Sequence, residues 1–170
     1  MKRDIRFSEK VLLAGFSLIL LFMIMQDWIP LGSLNDVQAI AEDRSFNEIL
    51  IVTLVGVLQI LLLMGLLLVF IGKGYPIWVK FWLIIHQICI FAGALLDWWI
   101  PYFFGYGAEQ RTERYSQMFG DTHSFLPELN GIIPNTFHTL FHIILLFCIV
   151  LTIYITFTNS RKIGKVDNAL

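Results

Sequence analysis

The stretch ILIVTLVGVLQILLLMGLLLVFI, residues 49–71, decides the fold. It contains no charged side chain, and Gln59 is its one amide. A helix needs about 20 mostly apolar residues to cross the hydrocarbon core of a bilayer. The stretch is long enough to do so. It therefore predicts a membrane-spanning helix with Gln59 near the middle of the bilayer.

The whole chain has the composition of a membrane protein. Of its 170 residues, 57% are hydrophobic and 15% are charged. A soluble domain of this length would need more charge to cover its surface. The length allows one compact bundle, so we treat residues 1–170 as a single transmembrane domain. The net charge of −1 gives no indication of a nucleic-acid partner. Cys89 and Cys148 lie in apolar runs without a CxxC motif, which argues against a disulfide framework.

Three further apolar runs have the length and composition of residues 49–71. None of the four runs has a Lys or Arg in its interior. An even number of spans places both termini on the same side of the membrane. The predicted spans are residues 11–28, 49–71, 78–100 and 135–157, with longer loops at 29–48 and 101–134.

Basic residues mark one side of the predicted membrane. They precede the first span, flank the short second connection and follow the fourth span, whereas the two longer loops are rich in acid. By the positive-inside rule, both termini are then cytoplasmic. The predicted fold class is an all-α integral membrane protein, an antiparallel four-helix transmembrane bundle. The charge bias and the lack of targeting motifs favour a bacterial plasma membrane. The first run is predicted to be an uncleaved helix, because no cleavage motif follows it. The basic residues are Lys2, Arg3, Arg6, Lys10, Lys73, Lys80, Arg161, Lys162 and Lys165.

The first and third spans end in similar motifs, QDWIPLG at residues 26–32 and LDWWIPYFFG at residues 96–105. Each places an acid and a Trp before Ile-Pro at the predicted outer boundary. An internal duplication would produce this likeness. The preference of Trp for membrane interfaces and of Pro for helix ends also explains it. Either explanation places Asp27 and Trp98 at the outer face.

The second long loop contains AEQRTERYSQMFG, residues 108–120. Its pattern predicts a short amphipathic helix on the outer surface, followed by a turn rich in Asp, Asn and Gly. Long structured loops often carry function. We expect this loop to cover the bundle and to bring Glu113, His123 and Glu128 near its mouth.

Polar residues inside the spans predict a polar seam. Positions eleven apart on a regular helix fall within about 20° of each other, which puts Asp97 and His86 on one face of the third span. Because ionisable groups avoid lipid, we expect the histidines to face the protein interior. The seam is predicted to run inward from the outer face between the second, third and fourth spans. Its residues are Gln59, His86, Asp97, Asn135, His138 and His142.

Metal binding is the first functional interpretation of the histidines. His138 and His142 lie four residues apart, so both imidazoles share one helix face, a common half-site for zinc or iron. The metal candidates are His138, His142 and His123. His138 and His142 would form the half-site, which His123, Asp97, Glu128 or Glu113 would complete. Thr139, Leu140 and Phe141 lie between the histidines, so the glutamate base of an HExxH motif is absent.

The preferred hypothesis is a metal-dependent or acid–base membrane enzyme acting on a small or lipid-like substrate. Its cofactor would be a divalent transition metal, zinc or iron. Its expected partner is the lipid bilayer. The catalytic candidates are His142, Asp97, Glu113 and Glu128, and the ligand-binding candidates are Gln59, His86, Asn135, Trp98 and Asp27.

Two other classes of function stay open. A non-enzymatic carrier of protons or a small solute would use the same seam as a relay, since histidine titrates near neutral pH. A non-enzymatic ligand-binding membrane protein would hold a lipid-like ligand there with a few polar groups. A structural or partner-binding subunit, including one that forms homo-oligomers, would use the polar residues as interhelical hydrogen bonds. Such bonds contribute on the order of 1 kcal/mol each in lipid. Asn135 would then be only the N-cap of the fourth helix.

Overall fold

The structure is a computed structural model that describes residues 3–167, with side chains described for residues 3–158. The described chain is all-helical, and its one β-type pairing is an isolated bridge between Leu129 and Ile132. A 3₁₀ turn at Gly32–Leu34 precedes the second helix, and a π-helical turn at Leu95–Trp99 follows the fourth. The α-helices are α1 Phe7–Met25, α2 Val37–Asp43, α3 Phe46–Phe70, α4 Ile77–Ala94, α5 Ile100–Phe104, α6 Glu109–Phe119 and α7 Thr136–Asp167.

Four helical segments of the described chain are long and apolar enough to cross a membrane. They are Phe7–Met25, Phe46–Phe70, Ile77–Phe104 and Thr136–Thr158. This confirms the prediction of four apolar helices, with shifted boundaries. α1 begins earlier than predicted, so that Glu9 belongs to its first turn. The side chains of Lys2, Arg161, Lys162 and Lys165, which enter the orientation prediction, lie outside the described residues.

The third span continues past the residue at which we predicted its end. Pro101 has no N–H to bond the carbonyl of Asp97, which would otherwise accept the i to i−4 hydrogen bond. The helix widens to a π turn at Leu95–Trp99 just before the proline, and Pro101 then lies in the first turn of α5. The hydroxyl of Tyr115 in α6 donates to the Asp97 carbonyl at 3.1 Å. The surface helix thus satisfies an acceptor that Pro101 leaves open.

The apolar core lies between the four long helices. α1 packs against both α3 and α7, and α4 packs mainly against α7. α1 and α7 approach closely where Gly15 faces Cys148. In lipid, such close van der Waals packing drives helix association, because lipid tails are as apolar as leucine. The most buried core residues include Leu12, Phe16, Ile19, Ile60, Leu63, Leu67, Val79, Leu83 and Leu145.

Different hydrogen bonds join the helices at the two ends of the bundle. One end, which we call the terminal end, contains the N-terminal segment, and there the backbone N–H of Arg3 donates to the Gly72 carbonyl at 2.9 Å. The Arg6 guanidinium reaches the Ile155 carbonyl in α7 at 3.0 Å. At the opposite end, which we call the histidine end, Trp28 donates to the Thr53 hydroxyl at 2.8 Å.

The connections cover the histidine end. The predicted amphipathic helix is α6, which packs on α2 and buries Met118 and Phe119. The segment that follows α6 is held by backbone bonds of His123, which donates to the Ser33 carbonyl and accepts from the Thr136 N–H. The start of α7 is therefore enclosed by both long connections.

Candidate functional site: an aromatic–histidine cluster

His138 and His142 are positioned by the start of α7. Asn135 precedes this helix, and its side-chain oxygen accepts from the backbone N–H of His138 at 3.1 Å. The Asn135 amide donates to the Leu34 carbonyl and to the Thr122 hydroxyl. Asn135 thus has the capping geometry expected of an N-cap and also ties both connections to α7. These bonds use its polar atoms, so it has little capacity left for a ligand.

Aromatic side chains enclose the two histidines. The His138 ring stacks on Trp98 at a centroid distance of 5.0 Å and lies 5.3 Å from Phe22. The His142 ring lies 5.9 Å from Trp99 and 6.3 Å from Trp98. The two imidazoles are 6.5 Å apart. We call this group the aromatic–histidine cluster; it comprises Phe22, Trp98, Trp99, Phe119, His138, Phe141 and His142.

His142 has a buried ring nitrogen that lacks a hydrogen-bond partner in the part of the chain that the structure describes. Its side chain is largely enclosed, with 5% of the residue exposed. Its Nδ1 has no hydrogen-bond partner among the described residues. Leaving a buried donor or acceptor unsatisfied costs about 1–3 kcal/mol, so an unpaired imidazole nitrogen needs an explanation. By contrast, the Nδ1 of His138 lies 3.4 Å from the Asn135 side-chain oxygen.

An apolar groove of about 260 Å³ adjoins the cluster between α1 and α7. Phe22 and Phe141 belong to both features, since each lines the groove and contacts a histidine ring. The other lining residues are also apolar, so the groove has the chemistry of a site for a hydrocarbon chain. They are Leu18, Ile19, Leu21, Met25, Leu31, Phe137, Leu140 and Ile144.

Asp97 does not join the histidines. Its side chain is 65% exposed, and it forms an ion pair with Arg111 at 3.4 Å. The prediction that Asp97 and His86 share one face assumed a regular helix of about 100° per residue. The π turn interrupts that periodicity and leaves Trp98 buried against His138 instead. Trp98, a predicted ligand-binding residue, is therefore in the cluster.

His86 and Gln59 also lie outside the cluster. His86 is half-buried on α4 and stacks on Trp82 at 5.6 Å. Gln59 is half-buried on α3, which packs against α1, whereas the histidines are on α7. No hydrogen bond in the described part of the chain links Gln59, His86 and His142. The structure therefore does not join them into the continuous seam that the sequence predicts.

The loop candidates surround the cluster without entering it. The His123 ring nitrogen Nδ1 lies within hydrogen-bonding distance of the Thr136 hydroxyl, at 2.8 Å. Glu113 and Glu128 are exposed. Asp27 is buried beside Gln26, whose amide donates to it at 3.4 Å. The predicted acid–base pair of a histidine and a carboxylate is therefore not assembled in this geometry.

Two imidazoles supply half of a tetrahedral zinc site. The residues that the structure describes contain no group of three or more His, Cys, Asp or Glu side chains placed to hold a metal ion. Among the described residues, His138 and His142 therefore have no third His, Cys, Asp or Glu placed with them. Metal binding stays a prediction, which elemental mass spectrometry of the wild type and a His138→Ala/His142→Ala variant tests.

Sequence reasoning missed a charged network at the terminal end. Glu9 is completely buried, and its carboxylate accepts two hydrogen bonds from the Arg3 guanidinium, at 2.6 and 2.9 Å. It also accepts from the Tyr75 hydroxyl and from the Arg6 backbone N–H, each at 2.9 Å. The Arg6 guanidinium donates to the Thr158 hydroxyl at 2.7 Å. We call Arg3, Arg6, Glu9 and Tyr75 the terminal network.

The terminal network joins three parts of the chain: the N-terminal segment, the connection between α3 and α4, and α7. Burial, reinforced by the hydrogen bond to Glu9, raises the pKa of Tyr75, so this phenol stays protonated as a donor. The hydrogen bond to Glu9 also raises the pKa of Arg3. The available signal in the sequence is an acid, Glu9, within an otherwise basic N-terminal segment.

Asp27 makes stability depend on pH. Burial raises its pKa above the ordinary value, although Arg44 acts in the opposite direction. The folded state therefore binds the proton more tightly than the unfolded chain. The stabilisation from this group is complete below the unfolded-state pKa and is lost as pH rises through the folded-state pKa.

We expect Asp27→Asn to raise the free energy of unfolding at pH 7 by on the order of 1 kcal/mol, because an uncharged amide is less costly to bury. Its stability should also fall less than that of the wild type as the pH rises across the acidic range. Unfolding in detergent at a series of pH values measures both effects. Asp121→Asn, at an exposed position, is the control. Equal pH slopes for wild type and Asp27→Asn would contradict the prediction.

The fold and site define an all-helical protein with four helices able to span a membrane, and with an aromatic–histidine cluster at one end. Comparison with known protein families, curated proteins and solved structures finds no match.

Proposed function

We propose that this chain is an integral membrane protein that binds a small, lipid-like molecule at its aromatic–histidine cluster. The observation that carries the proposal is the enclosed Nδ1 of His142, which has no partner among the described residues. A ligand hydroxyl or carbonyl at this nitrogen would satisfy it. The adjoining apolar groove would accept the hydrocarbon part of the same molecule. Ligand sites commonly combine mostly apolar walls with a few polar groups in this way.

The proposed membrane arrangement is an antiparallel bundle with both termini cytoplasmic. Contacts at the two ends support the antiparallel order: Trp28 at the end of α1 meets Thr53 near the start of α3, and Arg3 before α1 meets Gly72 after α3. The basic segments support the orientation by the positive-inside rule. The histidine end would then face the outer side of a plasma membrane.

The geometry favours binding over acid–base catalysis. A His–carboxylate catalyst needs the two groups within hydrogen-bonding reach, directly or through one water. Asp97 bonds to Arg111 instead, and Glu113 and Glu128 are exposed. The aromatic rings around His142 instead provide an apolar enclosure with one polar contact. We therefore propose a non-enzymatic ligand-binding protein, which was the alternative hypothesis from the sequence, rather than an enzyme.

His142→Phe tests the proposal. The phenyl ring keeps the packing against Trp98 and Trp99 but removes the unpaired nitrogen. We expect the lipid-like molecules that co-purify with the wild-type protein, identified by native mass spectrometry, to bind His142→Phe at least about tenfold more weakly. One hydrogen bond to a buried polar group is worth about that much.

His86→Phe is the matched control, because His86 also contacts a tryptophan ring and also has a ring nitrogen, Nε2, without a partner among the described residues, but lies outside the cluster. It should retain wild-type ligand content. If His86→Phe loses as much bound ligand as His142→Phe, the His142 nitrogen is not a specific contact of the ligand. Unchanged binding in His142→Phe would contradict the proposal outright.

A further inference from the structure

A second cavity lies at the histidine end, between α6, the π turn and the residues that follow α2. Its volume is about 280 Å³. Three guanidinium groups and one carboxylate line it, and the carboxylate of Asp43 pairs with two of these arginines, Arg44 and Arg114. We call it the arginine cavity; its lining residues are Arg44, Asp97, Gln110, Arg111, Arg114 and Tyr115.

The acids nearby leave arginine donors unused. Arg114 is paired, with bonds of 2.8 and 3.1 Å to one oxygen of Asp43. Arg111 donates to the Gly107 carbonyl at 3.0 Å and to Asp97 at only 3.4 Å. Arg44 has an ion-pair distance of 3.7 Å to Asp43, and its guanidinium forms no hydrogen bond in the described part of the chain. Since a guanidinium has five N–H donors, Arg44 retains donors for a ligand, and Arg111 retains part of its set.

The arginine cavity adjoins the aromatic–histidine cluster. Tyr115 lines the cavity, and its ring lies 4.7 Å from that of Trp98. Trp98 in turn stacks on His138. Arg44 is close enough to oppose the effect of burial on the pKa of Asp27. The cluster is therefore next to both features. Phe22 and Phe141 line the apolar groove, and Trp98 contacts Tyr115, which lines the arginine cavity.

We infer that this cavity binds a phosphate-type anion, the headgroup of the lipid-like ligand proposed above. Guanidinium forks match phosphate oxygens bidentately, and such charge-assisted bonds are among the strongest in proteins. Tyr and Trp beside the cavity are the residues that favour the membrane–water interface, where a lipid headgroup lies. The inference rests on the proposed function and narrows it to an anionic amphiphile.

Three probes separate the contribution of the phosphate from that of the acyl chains. Dihexanoyl phosphatidic acid has the phosphate and short acyl chains, dihexanoylglycerol has the chains alone, and sodium phosphate has the anion alone. Each is titrated calorimetrically into the full-length protein in an uncharged maltoside detergent. We expect dihexanoyl phosphatidic acid to bind at least tenfold more tightly than either of the other two probes.

Arg44→Gln is the informative variant. The Arg44 guanidinium makes no hydrogen bond to the described residues, so replacing it should leave the fold intact. We expect this variant to weaken phosphatidic acid binding at least tenfold, with Arg44→Lys between Arg44→Gln and wild type. Arg111→Gln should act in the same direction. Lys10→Gln removes one exposed positive charge at the terminal end and should change binding less than twofold.

The remaining outcomes are distinguishable. If dihexanoylglycerol binds as tightly as phosphatidic acid and Arg44→Gln changes nothing, the headgroup site is overturned while the proposed ligand-binding function stands. If sodium phosphate binds as tightly as phosphatidic acid, the cavity takes a free anion, which overturns the assignment to an amphiphile. If no probe binds and His142→Phe also has no effect on co-purified molecules, both proposals fail.

Discussion

Glu9→Gln is expected to lower the free energy of unfolding by about 3 kcal/mol, the largest single effect that we predict. Glu9 is completely buried and accepts hydrogen bonds from Arg3, Arg6 and Tyr75. Removing one partner of a buried ion pair leaves the other charge uncompensated, at a cost of about 3–5 kcal/mol. The side chain of Arg3 is 27% exposed, so water screens part of that charge and the lower end of the range applies.

Reversible unfolding of the purified protein in mixed detergent micelles measures this loss. Glu113→Gln is the matched control, since it makes the same chemical change at an exposed position in α6. We expect its effect to stay within about 0.5 kcal/mol, as is usual for surface positions. If Glu9→Gln is no more destabilising than Glu113→Gln, the terminal network does not stabilise the bundle.

Gly15→Ala is expected to destabilise the protein by about 1–3 kcal/mol through overpacking. A Cβ at this position would lie 2.5 Å from the sulfur of Cys148, well inside van der Waals contact. Cys148 is fully buried in α7, so α1 and α7 would have to separate or the thiol would have to rotate. Because close packing replaces the hydrophobic effect between helices in lipid, this separation should weaken the contact between α1 and α7.

Gly65→Ala is the control for helix propensity. Gly65 lies in α3, and a methyl group added to its Cα would have no neighbouring atom within 4 Å. Alanine should therefore be neutral there or stabilising by up to about 1 kcal/mol. The double variant Gly15→Ala/Cys148→Ala removes the clashing sulfur and should recover at least half of the lost stability. Additive losses in the double variant would contradict the proposed contact.

The apolar helices were predictable because each depends on a local property. The run at residues 49–71 is apolar throughout, and Phe46–Phe70 is the observed helix. α6 was predictable from its amphipathic pattern, and the position of Asn135 before α7 from its capping chemistry. Such features depend on residues within one or two helical turns, so the sequence carries them directly.

The candidate site was only partly predictable. The spacing of His138 and His142 indicated a shared face, and both rings do enter one cluster. The place of Asp97 was not foreseen, because Pro101 and the π turn change the phase of the third span. The role of Glu9 in the terminal network was not foreseen either, because its partners include Tyr75, which is distant along the chain.

The sequence by itself determined that the chain forms four helices able to span a membrane. Length and apolar composition suffice for this, because a backbone in lipid must satisfy its hydrogen bonds within each helix. Only the tertiary structure decided which polar side chains meet. Phe22, Trp98 and His142 come from three different spans, so their meeting depends on how those spans pack and on the rotation that the π turn introduces. The packing and the rotation both depend on contacts between residues distant along the chain, which no local pattern of the sequence records.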